Sequence, residues 1–439
     1  MEMRERIREV TLKIFELYGE RMRLVNSIAK LKRERGLPVR DREVEASLWE
    51  AVRRKCQEEG LNERNCERMF ALLISSSIEA QVPKSGAGAH IEIFRRAKAM
   101  EREGRKVYHL EVGEPAWGPP KEAIEALFES IRRGEIRYGP STGLLRFREA
   151  AAKWVSKRDG VDVGPDSIVP TPGSKFALFS LMSMLTDKGD RVGLIRPTWP
   201  GYLGIASALG LEVVFAEENF ETLKGSRVIV VCSPNNPDGK VLSRSQLEEL
   251  VEIASESNSY ILSDDAYAEL SFAERVPITK IYERAISVNS MSKAFGMTGF
   301  RIGYVYGPKE VVNSLAKFLA VTVTNVPEFI QEAAGAALEV GEKHLVEVRE
   351  RLSNMLRFAE ENLKDTRLEF KRPDGGLYLF PRVELDGFDS LQFSKELLED
   401  KGVAVAPGIA FGPYPDRIRI TFASMHGYEG IPLLKEALT

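Results

Sequence analysis

The sequence predicts an all-helical N-terminal domain followed by an α/β domain with a mixed, mainly parallel sheet and a smaller α+β lobe. Three observations carry this. The first 81 residues have a single proline, Pro38, and read as successive helical stretches. The segment PKSGAGAH at 83–90 is small and proline-led, a linker. Beyond it, apolar strand-like runs such as RVIVVCSP and YILSDD alternate with amphipathic stretches such as SQLEELVEIASES, the pattern of parallel strands joined by crossover helices. Domain bounds of 1–82, 83–90 and 91–439 follow, with a large lobe at about 116–325 and a small lobe made of 91–115 and 326–439.

With 43% hydrophobic and 29% charged residues, the 439-residue chain has ample material for large cores. A net charge of −3, from 62 basic and 65 acidic side chains, speaks against a protein that coats nucleic acid or anionic membrane. A transcription regulator would need a basic, compact helix-turn-helix where one long helix is expected. No membrane-length apolar run is present, and the charged start MEMRERIREV is no secretory signal. Cys56, Cys66 and Cys232 are too few and scattered for a disulfide framework, and His90, His109, His344 and His426 show no ligand spacing. No metal site is expected, and the expected setting is a reducing cytoplasm.

In the first segment, one helix of about 30 residues is expected over 3–35. Ile7, Val10, Ile14, Leu17, Leu24, Ile28 and Leu31 form an apolar stripe along it. A neighbouring row steps by three or four residues through Arg4, Ile7, Thr11, Ile14, Tyr18, Arg21, Val25, Ile28 and Lys32. Arg21 and Lys32 lie roughly 16 Å apart along a helix, so two long side chains can converge on one small anion. Arg4 lies roughly 25 Å from Arg21, beyond reach within one chain, although an antiparallel partner helix would bring a second Arg4 to the pair. The plainer reading is a charged helix whose cations reach water.

This segment resembles the all-helical chorismate mutase family over nearly its whole length, including the L-P-V-R-D turn at 37–41. The resemblance implies an intertwined dimer and places the family's pattern on Arg4 (from the partner chain), Arg21, Lys32, Asp41, Glu45, Ser77 and Gln81. The implied reaction is a pericyclic rearrangement of chorismate to prephenate. It needs arginines to clamp two carboxylates and donors, here Lys32 and Gln81, to meet charge developing on the ether oxygen. One position departs: the family usually carries arginine just before the glutamate, and Val44 stands here.

In the second segment, IVPTPGSKFALFSLMSML reads as strand, glycine turn and helix, with Gly173, Ser174 and Lys175 at a helix N-terminus that favours phosphate. Three further strands end in polar groups: Asn235, Asn236 and Pro237; Asp264 with Tyr267; and Ser290, Ser292 and Lys293 followed by Arg301. Each alone is an ordinary turn or cap. Their joint order and spacing resemble the class I/II aminotransferases of the fold type I pyridoxal-phosphate enzymes.

The resemblance implies a pyridoxal 5'-phosphate cofactor, held covalently by Lys293, which also shuttles the substrate proton. It implies Asp264 against the pyridinium nitrogen, Asn236 and Tyr267 on the ring 3-oxygen, and Trp199 against the ring face. Gly173, Ser174, Lys175, Ser290, Ser292 and Arg301 would surround the phosphate, with Tyr138 reaching in from a partner subunit. Gly113 would lie on a loop closing over substrate. Arg419 would clamp the α-carboxylate, with Arg417, two residues earlier on the strand, as competitor. Lys175 either contacts the distal carboxylate of an acidic substrate or points to solvent.

The function expected is therefore a bifunctional enzyme of phenylalanine/tyrosine biosynthesis. Chorismate is rearranged, and an amino group passes from glutamate or aspartate to prephenate or to an aromatic 2-oxo acid. A homodimer or higher oligomer is expected. The alternative keeps an aspartate or aromatic aminotransferase with a non-catalytic, regulatory or dimerising helical domain.

Overall fold

The computed structural model describes residues 2–34, 41–81 and 88–439, in two compact units that divide after Ser85. In the first unit α1 (Glu2–Glu34) runs as one 33-residue helix, and α2 (Arg42–Glu58) and α3 (Glu63–Gln81) form a hairpin. Asp41 caps α2, its side chain accepting from Val44 N at 3.1 Å. Trp49 and Phe70 pack α2 on α3, with ring centroids 5.2 Å apart. On α1 only Val25 and Ala29 are buried among the described residues, whereas Ile7, Val10, Ile14, Leu17, Leu24, Ile28 and Leu31 are 46–66% exposed in the single chain.

Cys56 and Cys66 correct the expectation that the cysteines are too few and scattered for disulfide pairing to organise the chain. They form a disulfide across the α2–α3 turn, with Cα atoms 6.6 Å apart. The hairpin supplies the proximity that spacing alone did not reveal.

The second unit opens with α4 (Ala89–Arg102), so Ala89 and His90, read as linker, already belong to a helix that starts after Gly88. Next come β1 (Tyr108–His109), α5 (Lys121–Arg132) and α6 (Leu145–Asp159). The large lobe then builds β2 (Ile168–Thr171), α7 (Ser174–Leu185), β3 (Arg191–Ile195), α8 (Pro200–Leu209), β4 (Glu212–Ala216), β5 (Val228–Cys232), α9 (Arg244–Glu256), β6 (Tyr260–Asp264), β7 (Ala285–Ser290) and β8 (Gly303–Tyr306). These strands make one seven-stranded sheet in the order β2-β8-β7-β6-β5-β3-β4, with β8 alone antiparallel to its neighbours. Helices cover both faces, which is why β2, β7 and β8 are buried at every residue.

Three helices follow: α10 (Lys309–Thr322), α11 (Glu328–Glu339) and α12 (Gly341–Leu363). Here the expected lobe boundary at 326 moves. Helix α11 packs against α5 and α6, and the wholly buried Gln331 accepts from Leu144 N at 2.7 Å, so α11 belongs to the large lobe. Helical periodicity shows that α11 has an apolar face but not which lobe receives it.

The small lobe holds β9 (Leu368–Glu369), β10 (Tyr378–Leu379), β11 (Arg382–Val383), α13 (Ser390–Lys401), β12 (Val403–Ala404), β13 (Ala406–Pro407), β14 (Ile418–Thr421) and α14 (Gly427–Leu438). Strand β14 lies between β10 and β13, and β1 pairs in parallel with β12. Among the described residues no helix is long and apolar enough to cross a membrane.

Candidate active site

Parallel strands end together, and at the carboxyl ends of β5, β6 and β7 the chain places Asn236, Asp264 and Lys293 around one cavity of about 420 Å³. Gly113, Ser174, Lys175, Trp199, Tyr267, Ser290, Ser292, Arg301 and Arg419 also line it. Thus most of the residues singled out in the second segment meet at one place. Gly173, Asn235, Pro237 and Arg417 are not among its lining residues, and neither is Tyr138, which is 88% exposed in the single chain.

The Lys293 amine donates to Gly113 O at 2.5 Å, and the neighbouring backbone is pinned by Trp117 Nε1 on Lys293 O at 2.9 Å. Burial, then the Arg419 cation, lowers the amine's pKa to about 8, so a useful fraction is unprotonated near neutrality. Asp264 is buried and accepts from Tyr202 OH at 2.6 Å and from Ala266 N at 3.3 Å. Burial raises its pKa to about 6 although the Tyr202 hydrogen bond pulls down, so at pH 7 the carboxylate is mainly ionised and can pair with a buried cation.

Behind Asp264 lies a buried ionic network. Asp265 meets Arg275 at 3.0 Å, Arg275 meets Asp159 at 2.5 Å, and Arg158 joins Asp159 at 2.6 Å to Glu269 at 2.7 Å. Ser263, Ser287, Asn289, Tyr306 and Trp154 satisfy its remaining polar atoms. This network fixes the end of β6.

A cradle for an anion forms where α7 begins. Gly173 sits at φ +78°, and a Cβ there would come within 2.8 Å of Arg301 Nη2. Arg301 itself adopts φ +53°, a costly conformation for a non-glycine residue, and donates to Thr298 O at 2.9 Å. Free amides of α7 face the same place as Ser174, Ser290 and Ser292.

Arg419, on β14, is buried. Its Nη1 donates to Asn236 Oδ1 at 2.9 Å, its Nη2 to Glu111 O, and its guanidinium lies between Tyr378 and Phe411, at 4.4 and 4.8 Å from their ring centroids. Arg417 instead donates to Phe380 O at 3.1 Å and does not line the cavity, which separates the two candidates. Lys175 is exposed along its side chain, with its amine 5.0 Å from the Trp199 ring centroid; partial desolvation, then Arg301, lowers its pKa. Asn236 Nδ2 and Tyr378 OH meet Tyr267 OH at 3.4 and 2.7 Å.

Sequence reasoning missed Tyr202, Tyr378, Cys232, Glu111 and Phe94 on the cavity wall. Tyr202 lies three residues after Trp199 in RPTWPGY, a signal that could have found it; Tyr378 lies on β10, where no sequence motif marks it.

In the first unit Arg21 Nη1 donates to Ser77 Oγ at 2.6 Å and to Leu73 O at 2.9 Å, and Gln81 Nε2 donates to Ser77 O at 3.2 Å. Arg21, Ser77 and Gln81 are therefore together, with Gln81 Oε1 buried and lacking a hydrogen-bond partner among the described residues. Lys32 and Glu45 are half-buried; Asp41 and Arg4 are exposed. Arg40, within the expected L-P-V-R-D turn, lies outside the described residues.

A sheet with polar groups converging at its carboxyl edge, a lysine among them, and a buried arginine from a second lobe define the aminotransferase fold of type I. The chain matches the model "Aminotransferase class I and II" over residues 105–429, and it belongs to that family. Residues 3–82 match "Chorismate mutase type II", so a chorismate mutase domain precedes the aminotransferase domain.

The chain is 34% identical over 354 residues to the aspartate aminotransferase of Thermococcus kodakarensis, covering 79% of this chain and 92% of that one. It is 31% identical over 369 residues to the aspartate/prephenate aminotransferase of Thermus thermophilus, covering 80% and 94%. Among solved structures, aspartate aminotransferase from Thermotoga maritima superposes with a TM-score of 0.74 at 30% identity, covering 82% of this chain and 98% of that chain.

The family implies pyridoxal phosphate, and the residues present fit it. The Gly173–Arg301 cradle suits a phosphate, Asp264 suits a ring cation, and the Lys293 amine suits an aldehyde. Bound there, the cofactor would supply an aldehyde carbon for the amine and an electron-withdrawing ring.

Proposed function

We propose that the chain is a bifunctional enzyme of phenylalanine/tyrosine biosynthesis. Its helical domain rearranges chorismate to prephenate. Its larger domain, with pyridoxal phosphate, transfers an amino group from glutamate or aspartate to prephenate or to an aromatic 2-oxo acid. The observation that carries the reading is one cavity walled by Lys293, Asp264, Arg419 and Lys175.

In this reading Arg419 grips the carboxylate next to the reacting carbon, since a planar guanidinium matches it bidentately. Lys293 carries the proton between that carbon and the cofactor, and Asp264 keeps the ring nitrogen protonated. Ser174, Ser290, Ser292 and Arg301 hold the phosphate, Trp199 packs on the ring face, and Asn236 and Tyr267 hydrogen-bond its 3-oxygen. Lys175 meets the second carboxylate that glutamate, aspartate and prephenate share. The product of the first domain is then a substrate of the second.

In the helical domain Arg21 and Lys32 hold the substrate carboxylates and ether oxygen, with Ser77, Gln81, Asp41 and Glu45 completing the site. The exposed stripe on α1 seats a second copy, which brings its Arg4 to the pair and makes a homodimer the active species. Tyr138 reaches across the same kind of boundary in the larger domain.

Two assays test this. Chorismate loss should be measurable for the wild type and abolished in Lys32→Ala. If neither protein consumes chorismate, the second reading stands: a non-catalytic, dimerising or sensing domain, favoured by the apolar and exposed Val44. An acceptor panel of prephenate, phenylpyruvate, 4-hydroxyphenylpyruvate and oxaloacetate identifies the transaminase substrate. Lys175→Ala should weaken the dicarboxylic acceptors selectively; equal loss for all four removes Lys175 from recognition.

A further inference from the structure

Beside the cavity, and outside every role assigned above, two carboxylates hold one imidazole. His109, on β1, hydrogen-bonds Glu111 Oε1 through Nδ1 at 2.8 Å, while Nε2 lies at ion-pair distance, 3.1 Å, from Glu101 Oε1 without hydrogen-bond geometry. The Glu111 side chain is 1% exposed, and its Oε2 has no hydrogen-bond partner among the described residues. A buried carboxylate in that position depends on a cation for its stability. The same residue's carbonyl oxygen accepts from Arg419 Nη2.

The other groups facing His109 agree on where the cation resides. His426 receives the His109 backbone N–H on Nδ1 at 3.2 Å, and burial, then the neighbouring His109, lowers its pKa. It is therefore the neutral partner. Burial opposes protonation of His109, as to a lesser degree does Lys98, on α4 with Glu101; Glu111 and then Glu101 outweigh them, and the net shift is upward. Phe94 closes the remaining side, its ring centroid 6.5 Å from that of His109.

We propose that Glu101, His109 and Glu111 form a positioning relay for Arg419. An imidazolium at His109 fixes the Glu111 carboxylate, and the carbonyl oxygen of Glu111 in turn fixes the guanidinium that grips the substrate carboxylate. None of the three touches substrate. Loss of the proton from His109 leaves a buried carboxylate without its cation, which shifts Glu111 and releases one of the two contacts that aim Arg419. Carboxylate binding then weakens as pH rises through the raised pKa of His109 and is fully supported below it. The relay rests on the reading of Arg419 as the carboxylate clamp.

The test uses the full-length holoenzyme between pH 6 and 9.5, reading KM and kcat for L-aspartate and, independently of turnover, the dissociation constant of succinate by calorimetry. For the wild type, KM and the succinate constant should rise about tenfold across the alkaline limb, the worth of one charge-assisted hydrogen bond, with a smaller change in kcat. His109→Gln should show the weak constants at every pH and no alkaline limb. His109→Gln/Glu111→Gln should regain most of the loss, because a neutral pair buries no charge; a merely structural role predicts instead that the second substitution adds to the damage. The relay is overturned if His109→Gln keeps the wild-type pH profile, if the double variant binds no better than the single, or if succinate does not bind the wild type at all. If succinate binds with the His109-dependent profile while aspartate is not turned over, the relay stands and the aspartate donor falls.

Discussion

Replacing Arg275 with methionine removes one cation from the network behind Asp264 while keeping most of the side chain's volume. Three carboxylates, of Asp159, Asp265 and Glu269, share two guanidiniums, of Arg158 and Arg275. The substitution leaves three against one, all at or below 11% side-chain exposure. Breaking a buried pair from one side costs about 3–5 kcal/mol. With an m-value near 3 kcal/mol/M in urea, the unfolding midpoint should fall by roughly 1–1.7 M at pH 7.5. The pH sign is fixed by Asp265, whose pKa burial raises and Arg275 holds down. Without Arg275 it rises further, so the variant's native state takes up a proton on acidification and regains stability relative to the wild type. The gap should therefore narrow between pH 7.5 and 5.5 when urea unfolding is followed by circular dichroism. A gap under 1 kcal/mol at pH 7.5, or one that widens in acid, would refute this account.

Further outcomes follow from single contacts. Gly113→Ala places a methyl group onto the Tyr378 hydroxyl and should reduce transamination at least tenfold while chorismate turnover is unchanged, checked by the two assays on one preparation. Cofactor-free protein should incorporate added pyridoxal phosphate faster as pH rises through about 8, the Lys293 value, and level off above it, because the unprotonated amine is the nucleophile; absorbance stopped-flow reads this, and Lys293→Ala should show no such limb. Reducing the Cys56–Cys66 bond frees a loop of about ten residues and should destabilise the helical unit by about 3 kcal/mol, seen as a lower melting temperature in dithiothreitol that Cys56→Ser/Cys66→Ser reproduces. Ser77→Ala removes the hydroxyl that receives Arg21 and should raise KM for chorismate by roughly five- to tenfold.

How much of this site the sequence disclosed depends on whether position followed from local chain geometry. Asp264 ends an apolar strand and Asn236 and Lys293 come shortly after two others, and parallel strands in register must bring their ends together. Tyr202, Tyr378 and Glu111 reach the same cavity from an N-terminal helix turn, a small-lobe strand and the loop after β1, through packing that no local pattern encodes. The Asp159–Arg275 contact spans 116 positions and was equally hidden. Arg417 and Arg419 looked alike because strand alternation puts them on one face; what divides them is the length of β14, where Arg419 lies inside the strand and Arg417 just before it, beside Phe380. Lys175 was ambiguous because the first turn of a helix can face either way, and the Trp199 ring draws its amine to the cavity.

In the proposed function the two domains meet carboxylates with arginine by different means, and the difference is physical. Arg21 reaches across from α1 to Ser77 and Leu73 on α3, so its aim depends on helix packing and on a long side chain that stays half-buried. Arg419 is held before any substrate arrives: two aromatic rings flank its plane, and Asn236 and the Glu111 carbonyl take two of its five N–H groups. Its rotamer entropy is already lost on folding, so a carboxylate that binds there recovers more of the interaction energy as affinity. The cost of burying that cation is borne by neutral acceptors rather than by a contacting carboxylate, which leaves the charge available for the substrate. Such a clamp is sensitive to whatever fixes its acceptors, and that is why a histidine lacking any contact with the guanidinium can govern it.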